Sequence, residues 1–375
     1  METIKGFRDF TGEEAQKRQE IKEIIIGIFE KYGFEPAETP IIEYEKFVKG
    51  DNEKDEAISD IFKLKDKGKR ELALRYEFTF QLKRIAKNQK LPYKRFQIGE
   101  VFRDEPVSQN RVRQITQCDV DIIGSTTKDE AEILNIAKEI FDKLGIKVKI
   151  LFNNRKLLNE ILETNGVKAK EEVIREIDKL DKLPESEIKK ALKKYRAEKI
   201  INELKKPESY FKKFKAYEEI QELKKFCSYY GTKPEFSPSL ARGLSYYNGS
   251  VFEIKTAGIK ETIAGGGSYM INNLQSTGIC FGLDRIANLS KLQSKKDKTL
   301  IISLNKDKEA IALIQKLRQK DEKCILFYGK PSKALDYANS KGISKVIFIG
   351  EKEVKSKRYK IKDMKTGKEV LKTTN

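Results

Sequence analysis

The stretch "VFRDEPVSQNRVRQITQCDVD" (residues 101–121) decides the fold. Arg103 ends one strand, a polar loop follows, and Arg111 and Arg113 enter a returning strand. Alternation places Arg111, Arg113, Ile115, Gln117, Asp119 and Asp121 on one face of that return. A core strand would carry apolar residues there. In a hairpin this face lines a polar cleft, positive at one end and negative at the other. Such a cleft suits a ligand that joins an anion to a cation, as a nucleotide phosphate beside an amino acid would. An exposed antiparallel face with cross-strand ion pairs would carry the same residues.

Upstream, "ELALRY" and "KRFQIGEVFRDE" read as strands that enclose a helix, "EFTFQLKRIAKN", with Glu77 and Thr79 at its start. Before them, Thr11 and Glu14 form a capping-box pattern. Ile21, Ile24, Ile25 and Ile28 follow as one apolar stripe, with Gly33 as the stop. "FEPAETPIIEYEKF" is extended and kinked at Pro36 and Pro40. Downstream, Thr127 with Glu130 predicts a second capped helix ending at Gly145, and "KVKILF" alternates like a strand. Residues 154–236 are rich in helix formers and lysine pairs and read as a helical insertion, its lysines more a solvated face than a binding site.

Strands return at 249–283 with the cluster "AGGGSY". Two stretches there are built for more than packing. "ARGLSYYNGSVFEI" (241–254) puts Arg242 and two tyrosines at the mouth of a strand. "STGICFGLDRIANL" runs a strand into a helix with Arg285 in its first turn, where the helix is already positive and an anion would resolve the mismatch. A break at 291–298 opens a separate βαβαβ unit that ends in a hairpin, "YKIKDMKTGKEVL". Residues 298–375 carry 20 basic and 9 acidic side chains, an excess of 11 out of the chain's +19. A nucleic-acid-binding module concentrates charge in this way.

The 375 residues suffice for two or three domains. The net charge favours a polyanionic partner, although a lysine- and isoleucine-rich composition also arises in AT-rich or heat-loving organisms. Cys118, Cys227, Cys280 and Cys324 show no CxxC spacing, which fits a reduced cytosolic compartment and no zinc site. "METIKGFRDF" has no apolar signal core, and no run is long enough to span a bilayer, so no membrane role is expected. The chain has no histidine at all. That excludes imidazole bases, histidine metal ligands and Ser-His-Asp triads. What remains is charge placement by arginine, lysine, carboxylates and Mg²⁺.

In this order the elements resemble the class II aminoacyl-tRNA synthetases, and specifically the histidyl-tRNA synthetase family. "GFRDF" resembles its N-terminal signature. "YGFEPAETPIIE" is similar to motif 1, with Pro40 at a dimer interface; "FRDE…RVRQ" is similar to motif 2 and "FGLDRI" to motif 3. "LRYEFT" and "ARGLSYYNGSVFEI" resemble the family's histidine-binding signatures, and "YGKPSKALDYANSKGISKVIFIGEKEV" resembles its anticodon-binding domain.

The fold that the resemblance implies has three parts. An α+β catalytic domain, an antiparallel sheet with flanking helices, spans 1–153 and 237–290. A helical insertion fills 154–236, and a small α/β anticodon-binding-like domain spans 298–375. The implied activity is ATP-dependent formation of histidyl-adenylate and transfer to the 3′ end of tRNA-His, in a cytoplasmic homodimer. Arg103 and Arg242 would be catalytic, at the α-phosphate and the reacting carboxylate. Glu105 would lie near the adenine amino group, Arg285 at the γ-phosphate, and Arg111 and Arg113 on the ATP side. Glu77, Thr79 and Gln117 would take the α-amino group of L-histidine, and Asp121 and Tyr247 would bracket the imidazole with Tyr246 beside it. Mg²⁺ would come with the ATP phosphates. Gln109 and Arg111, in the motif 2 loop, are candidates for reading the extra 5′ nucleotide of the tRNA.

The chain departs from the family pattern at Ser245, Ser268, Met270 and Ile115, where the family usually has Asp, Arg, Asp and an aromatic residue. Two other readings follow from the same resemblance. One is a non-catalytic, histidine-sensing paralogue of the kind that regulates the histidine-biosynthesis phosphoribosyltransferase, which commonly lacks the anticodon domain and key arginines. The other is a tRNA-binding protein with an inactive site. A synthetase without histidine could also be translated during histidine shortage.

Overall fold

The computed structural model describes residues 2–50, 56–108, 111–242, 246–292 and 298–373. Gln109 and Ser245 therefore lie outside the described residues. The chain forms two compact units, Met1–Leu292 and Gln293–Asn375.

The strands of the first unit are β1 (Glu35–Pro36), β2 (Ile42–Tyr44), β3 (Lys63–Lys65), β4 (Glu71–Leu74), β5 (Tyr93–Phe102), β6 (Gln114–Ile123), β7 (Lys149–Asn154), β8 (Glu235–Phe236), β9 (Tyr247–Lys255), β10 (Ala264–Ile271) and β11 (Leu274–Gly282). Eight of them form one sheet in the order β1-β5-β6-β11-β10-β9-β7-β8. Its six inner strands pair antiparallel, and a two-residue strand pairs parallel at each edge. Strands β2, β4 and β3 make a separate small antiparallel sheet.

One face of the large sheet is covered by two helices whose stripes were legible. Helix Gly12–Lys31 buries Ile21, Ile25, Ile28 and Phe29. Helix Thr127–Lys143 buries Ile133, Leu134, Ile140 and Phe141. Phe281 of β11 is fully buried between them, 6.1 Å from the Phe29 ring and 5.8 Å from that of Phe141.

Both predicted capping boxes need correction. Thr11 occupies the N-cap but its side chain makes no capping bond, and the Glu14 carboxylate pairs with Arg8 at 2.5 Å. The second box sits one residue earlier than expected. The Thr126 N–H and hydroxyl donate to Asp129 at 2.7 and 2.8 Å, which releases Glu130 to point inward. The helix expected over "EFTFQLKRIAKN" shrinks to Leu82–Ile85. The carbonyls ahead of it are used elsewhere: Arg103 Nε donates to Tyr76 O at 3.3 Å and Arg95 donates to Phe78 O at 3.1 Å. Glu77 and Thr79 therefore stand on a loop held open by arginines.

Between β7 and β8 the chain is helical, from Arg155–Thr164 to Tyr217–Tyr229. Leu157, Ile161, Ile174, Ile188, Ile201, Phe211 and Leu223 belong to the same continuous core as the sheet. Lys190, Lys193, Lys194, Lys205 and Lys206 face solvent.

In the second unit, β12 (Thr299–Ser303), β13 (Cys324–Tyr328), β14 (Lys345–Ile349), β15 (Arg358–Asp363) and β16 (Glu369–Thr373) lie in the order β13-β12-β14-β15-β16. The first three pair parallel, and β15 and β16 add the antiparallel hairpin. The unbroken apolar run of β12 is explained by burial on both faces. Ile301 packs with Ala310 and Ile314 on one side, and Leu300 and Ile302 pack with Ala334 and Ala338 on the other. Helix Glu351–Ser356 was not expected from the sequence. Among the described residues, no helix is long and apolar enough to cross a membrane.

Since Phe281 ties both helices to the sheet, Phe281→Ala is expected to cost about 3–5 kcal/mol of unfolding free energy. Urea denaturation of the full chain would measure it.

Candidate functional site

The face of the sheet away from these two helices carries polar residues in register. On β6, Asp121 pairs with Arg95 of β5 and Gly278 of β11. Asp119 lies between Gln97 and Cys280, and Gln117 between Gly99 and Gly282. The glycines are required by what lies over them. A Cβ at Gly278 would collide with the Asp121 carboxylate, and one at Gly265 would collide with the Arg242 guanidinium. The "AGGGSY" cluster is thus the floor under a cation.

At the negative end, Asp121 is 4% exposed. Tyr269 donates its hydroxyl to one oxygen, and Arg95, with no exposure, approaches the other at 2.8 Å. Burial pushes the Asp121 carboxyl above its ordinary value, against the pull of Arg95 and Tyr269. Glu77 and Asp119 are pushed up to about 7, chiefly by burial, with the neighbouring carboxylates adding to it. Arg103 pulls both down and so faces this pocket. Gln117 is buried with its carbonyl oxygen unpaired, and Thr79 is half-buried.

Three tyrosines wall the pocket. The Tyr246 ring lies tilted 4.7 Å from Tyr247 and edge-on 5.6 Å from Tyr269, and its hydroxyl lies 3.5 Å from Glu77.

Arg242 takes a left-handed backbone, φ 49°, unusual for a residue with a side chain and typical of functional sites. Its guanidinium lies 3.6 Å from Glu253 and 5.6 Å from the Tyr247 ring centre, and its Nε is unpaired. Glu253 was not expected as its partner from the residue pattern.

At the positive end, Arg285 donates to Thr262 O at 2.7 Å. Burial lowers its pKa, and the like charges of Arg103 and Arg111 lower it further, so the three guanidiniums share one neighbourhood. Arg111 reaches Glu105 at 3.6 Å; Arg113 bonds Asp104 at 3.0 Å and the Glu105 carbonyl at 3.1 Å. The mismatch expected for Arg285 is met within the chain. Asp284, also in the first turn, balances the helix end and holds Arg18 at 2.7 Å and the Thr116 N–H at 2.9 Å.

The structure thus brings Glu77, Gln117, Asp121, Tyr246 and Tyr247 together, with Arg103 between them and Arg285. Sequence reasoning passed over Arg95 and Tyr269 and took Glu130 for a helix cap. The mark of Arg95 was an arginine inside an alternating strand, on the inward phase. Of the departures, Met270 is exposed, Ile115 is half-buried, and Ser268 is buried and donates its hydroxyl to Glu130. Among the described residues, no group of three or more Asp, Glu, Cys or His side chains could hold a metal ion.

A sheet of this topology, with a carboxylate and phenol pocket beside clustered arginines, is the architecture of an amino-acid-activating ligase. Residues 6–286 match the model of the family described as histidyl-tRNA synthetase, and residues 298–374 match that of the anticodon binding domain. Histidine–tRNA ligase 1 of Bacillus thuringiensis subsp. konkukian (strain 97-27) is 34% identical over 412 residues, covering 99% of this chain and 97% of that protein. Histidine–tRNA ligase of Methanocaldococcus jannaschii is 33% identical, covering 98% and 96%. The crystal structure of histidyl-tRNA synthetase from Nostoc sp. PCC 7120 has the same fold, with a TM-score of 0.85 at 23% identity, covering 99% of this chain and 96% of that one. The chain belongs to the histidyl-tRNA synthetase family.

Glu130 sets a pH dependence of stability. Burial raises its carboxyl to about 7, against an unfolded value near ~4.3. The folded state therefore binds more protons between these values, and stability falls as pH rises through that window. Glu130→Gln is expected to gain stability over the wild type at pH 8 relative to pH 5, measured by urea midpoints at both.

Proposed function

We propose that the chain activates L-histidine with ATP to histidyl-adenylate and transfers the histidyl group to the 3′ end of tRNA-His. The observation that carries this reading is the junction at Arg103 between the carboxylate and tyrosine pocket and the arginine group. The ammonium of the amino acid fits Glu77, Thr79 and Gln117; its ring fits Asp121 with Tyr246 and Tyr247. Its carboxylate then lies toward Arg103 and Arg242, where an α-phosphate would be.

One carboxylate oxygen attacks that phosphorus, the bond to the β-phosphate oxygen breaks, and pyrophosphate leaves with the electron pair. No proton moves, so a chain without imidazole loses nothing. Charge grows on phosphate oxygens, and fixed guanidiniums stabilise it. In this reading Arg285 holds the γ-phosphate, Arg111 and Arg113 steady the loop over ATP, and Glu105 meets the adenine amino group. Mg²⁺ arriving on the ATP phosphates supplies further charge neutralisation.

The domain reading follows the same logic. Residues 1–153 and 237–290 form the catalytic domain, 154–236 an insertion within it, and 298–375 the tRNA-reading domain. The basic excess of that last domain supports contact with RNA. A homodimer in the cytoplasm, where tRNA is charged, completes the proposal. Its support is the exposed apolar set Ile41, Ile42 and Tyr44 beside Pro40. The sensor reading has less behind it, because the arginines Arg103, Arg242 and Arg285 and the anticodon-type domain are all present.

ATP–pyrophosphate exchange on the full chain, with each of the twenty amino acids, is expected to respond to histidine alone. Arg242→Ala should slow that exchange about 10²–10³-fold. A folded chain that exchanges with none would favour the sensor or the inactive tRNA binder. For the dimer, Ile42→Lys is expected to shift sedimentation from dimer toward monomer at micromolar concentration, and a monomeric wild type would sink the dimer.

A further inference from the structure

Three buried carboxylates meet in the amino-acid pocket, and two have protein partners of their own. Asp121 is held by Tyr269 and Arg95, and Glu77 faces Tyr246. Asp119 stands apart. It is 6% exposed, its Oδ1 accepts no hydrogen bond, and its partner is the Cys280 thiol, a weak donor. A buried carboxylate so poorly satisfied is costly unless a ligand completes it.

The charges around it leave room for one more cation. Asp121 shares its strand, Arg95 comes from β5, Cys280 from β11, Glu77 from the loop ahead of Leu82, and Arg103 from the end of β5. Arg95 meets Asp121 and the Phe78 carbonyl through Nη2, makes no hydrogen bond from Nε or Nη1, and its charge also reaches Asp119. Arg103 leads toward the arginine group. Three carboxylates, Glu77, Asp119 and Asp121, thus share two guanidiniums, which leaves the pocket one cation short.

We propose that Asp119 is a further specificity-determining residue of the amino-acid site, pairing with Glu77 as a two-carboxylate clamp for the substrate's ammonium group; this rests on the function proposed above. Asp121, balanced by Arg95, is then free to accept a hydrogen bond from the ring N–H. The clamp selects a free α-ammonium and rejects molecules that carry the ring alone.

The clamp also couples binding to protons. Without a bound ammonium Glu77 and Asp119 titrate near neutrality, because burial first and then the neighbouring carboxylates hold their protons on. An arriving ammonium stabilises both charged forms, so protons leave as histidine binds, and affinity rises with pH through this range.

The test is calorimetric titration of L-histidine into the full chain at pH 7, in two buffers of different ionisation enthalpy. The wild type should release protons. Asp119→Asn should release fewer and bind histidine roughly 10- to 100-fold more weakly, with the KM for ATP in exchange unchanged. The des-amino analogue of histidine, titrated into the wild type, should bind weakly and release no protons from the pair, a readout that needs no variant. Unchanged affinity and proton release in a folded Asp119→Asn chain would overturn the clamp, as would equal losses for histidine and ATP. A des-amino analogue that matches histidine would overturn it as well. A wild type that binds no histidine would overturn the functional reading itself.

Discussion

The pocket depends on one buried cation. Arg95 has no exposure, cannot lose its proton in a protein, and reaches both Asp121 and the Phe78 carbonyl. An ion pair this deep is weak evidence for stability, since desolvation offsets most of the attraction. Its value is positional. The pair fixes Asp121 on β6 and keeps the loop with Glu77 and Thr79 out of the helix that its residues would otherwise extend. Removing the guanidinium would leave Asp121 uncompensated and release the loop together.

The site was made by subtraction as much as by charge. Gly278 and Gly265 lie beneath Asp121 and Arg242 and give up their side-chain volume to them. The opposite face of the same strands spends its residues on ordinary packing, with Phe281 against two helices. One sheet therefore serves as a rigid wall on one side and a charged floor on the other, and the rigidity of the first positions the second.

Much of this is legible in the amino-acid sequence. The hairpin around Arg103, the alternating face through Asp121, the apolar stripes of the two covering helices and the C-terminal βαβ order all follow from local patterns. What escaped were the partners that side chains find once the strands and helices are assembled. Glu253 approaches Arg242 at 3.6 Å, and Asp284 holds Arg18 and the Thr116 N–H at the helix end that seemed to await an anion. Thr126 rather than Thr127 caps its helix, a shift of one residue that turned Glu130 from a cap into a buried acid. Periodicity reports which face a residue takes, and it says nothing of what meets that face from elsewhere.

The missing histidine recasts the protein's pH behaviour. Histidine ordinarily supplies titration near neutrality, positive below its pKa and neutral above. Here buried carboxylates occupy that range, with Glu77, Asp119 and Glu130 each raised to about 7 by burial. Their sign is opposite: neutral below and negative above. Raising the pH therefore adds negative charge to the interior, which draws a cationic substrate group but weakens the fold. The proposed ammonium site and the buried Glu130 carboxyl respond to the same proton concentration. Binding and stability are thereby set against each other across neutrality, an opposition that a histidine-based site would not have.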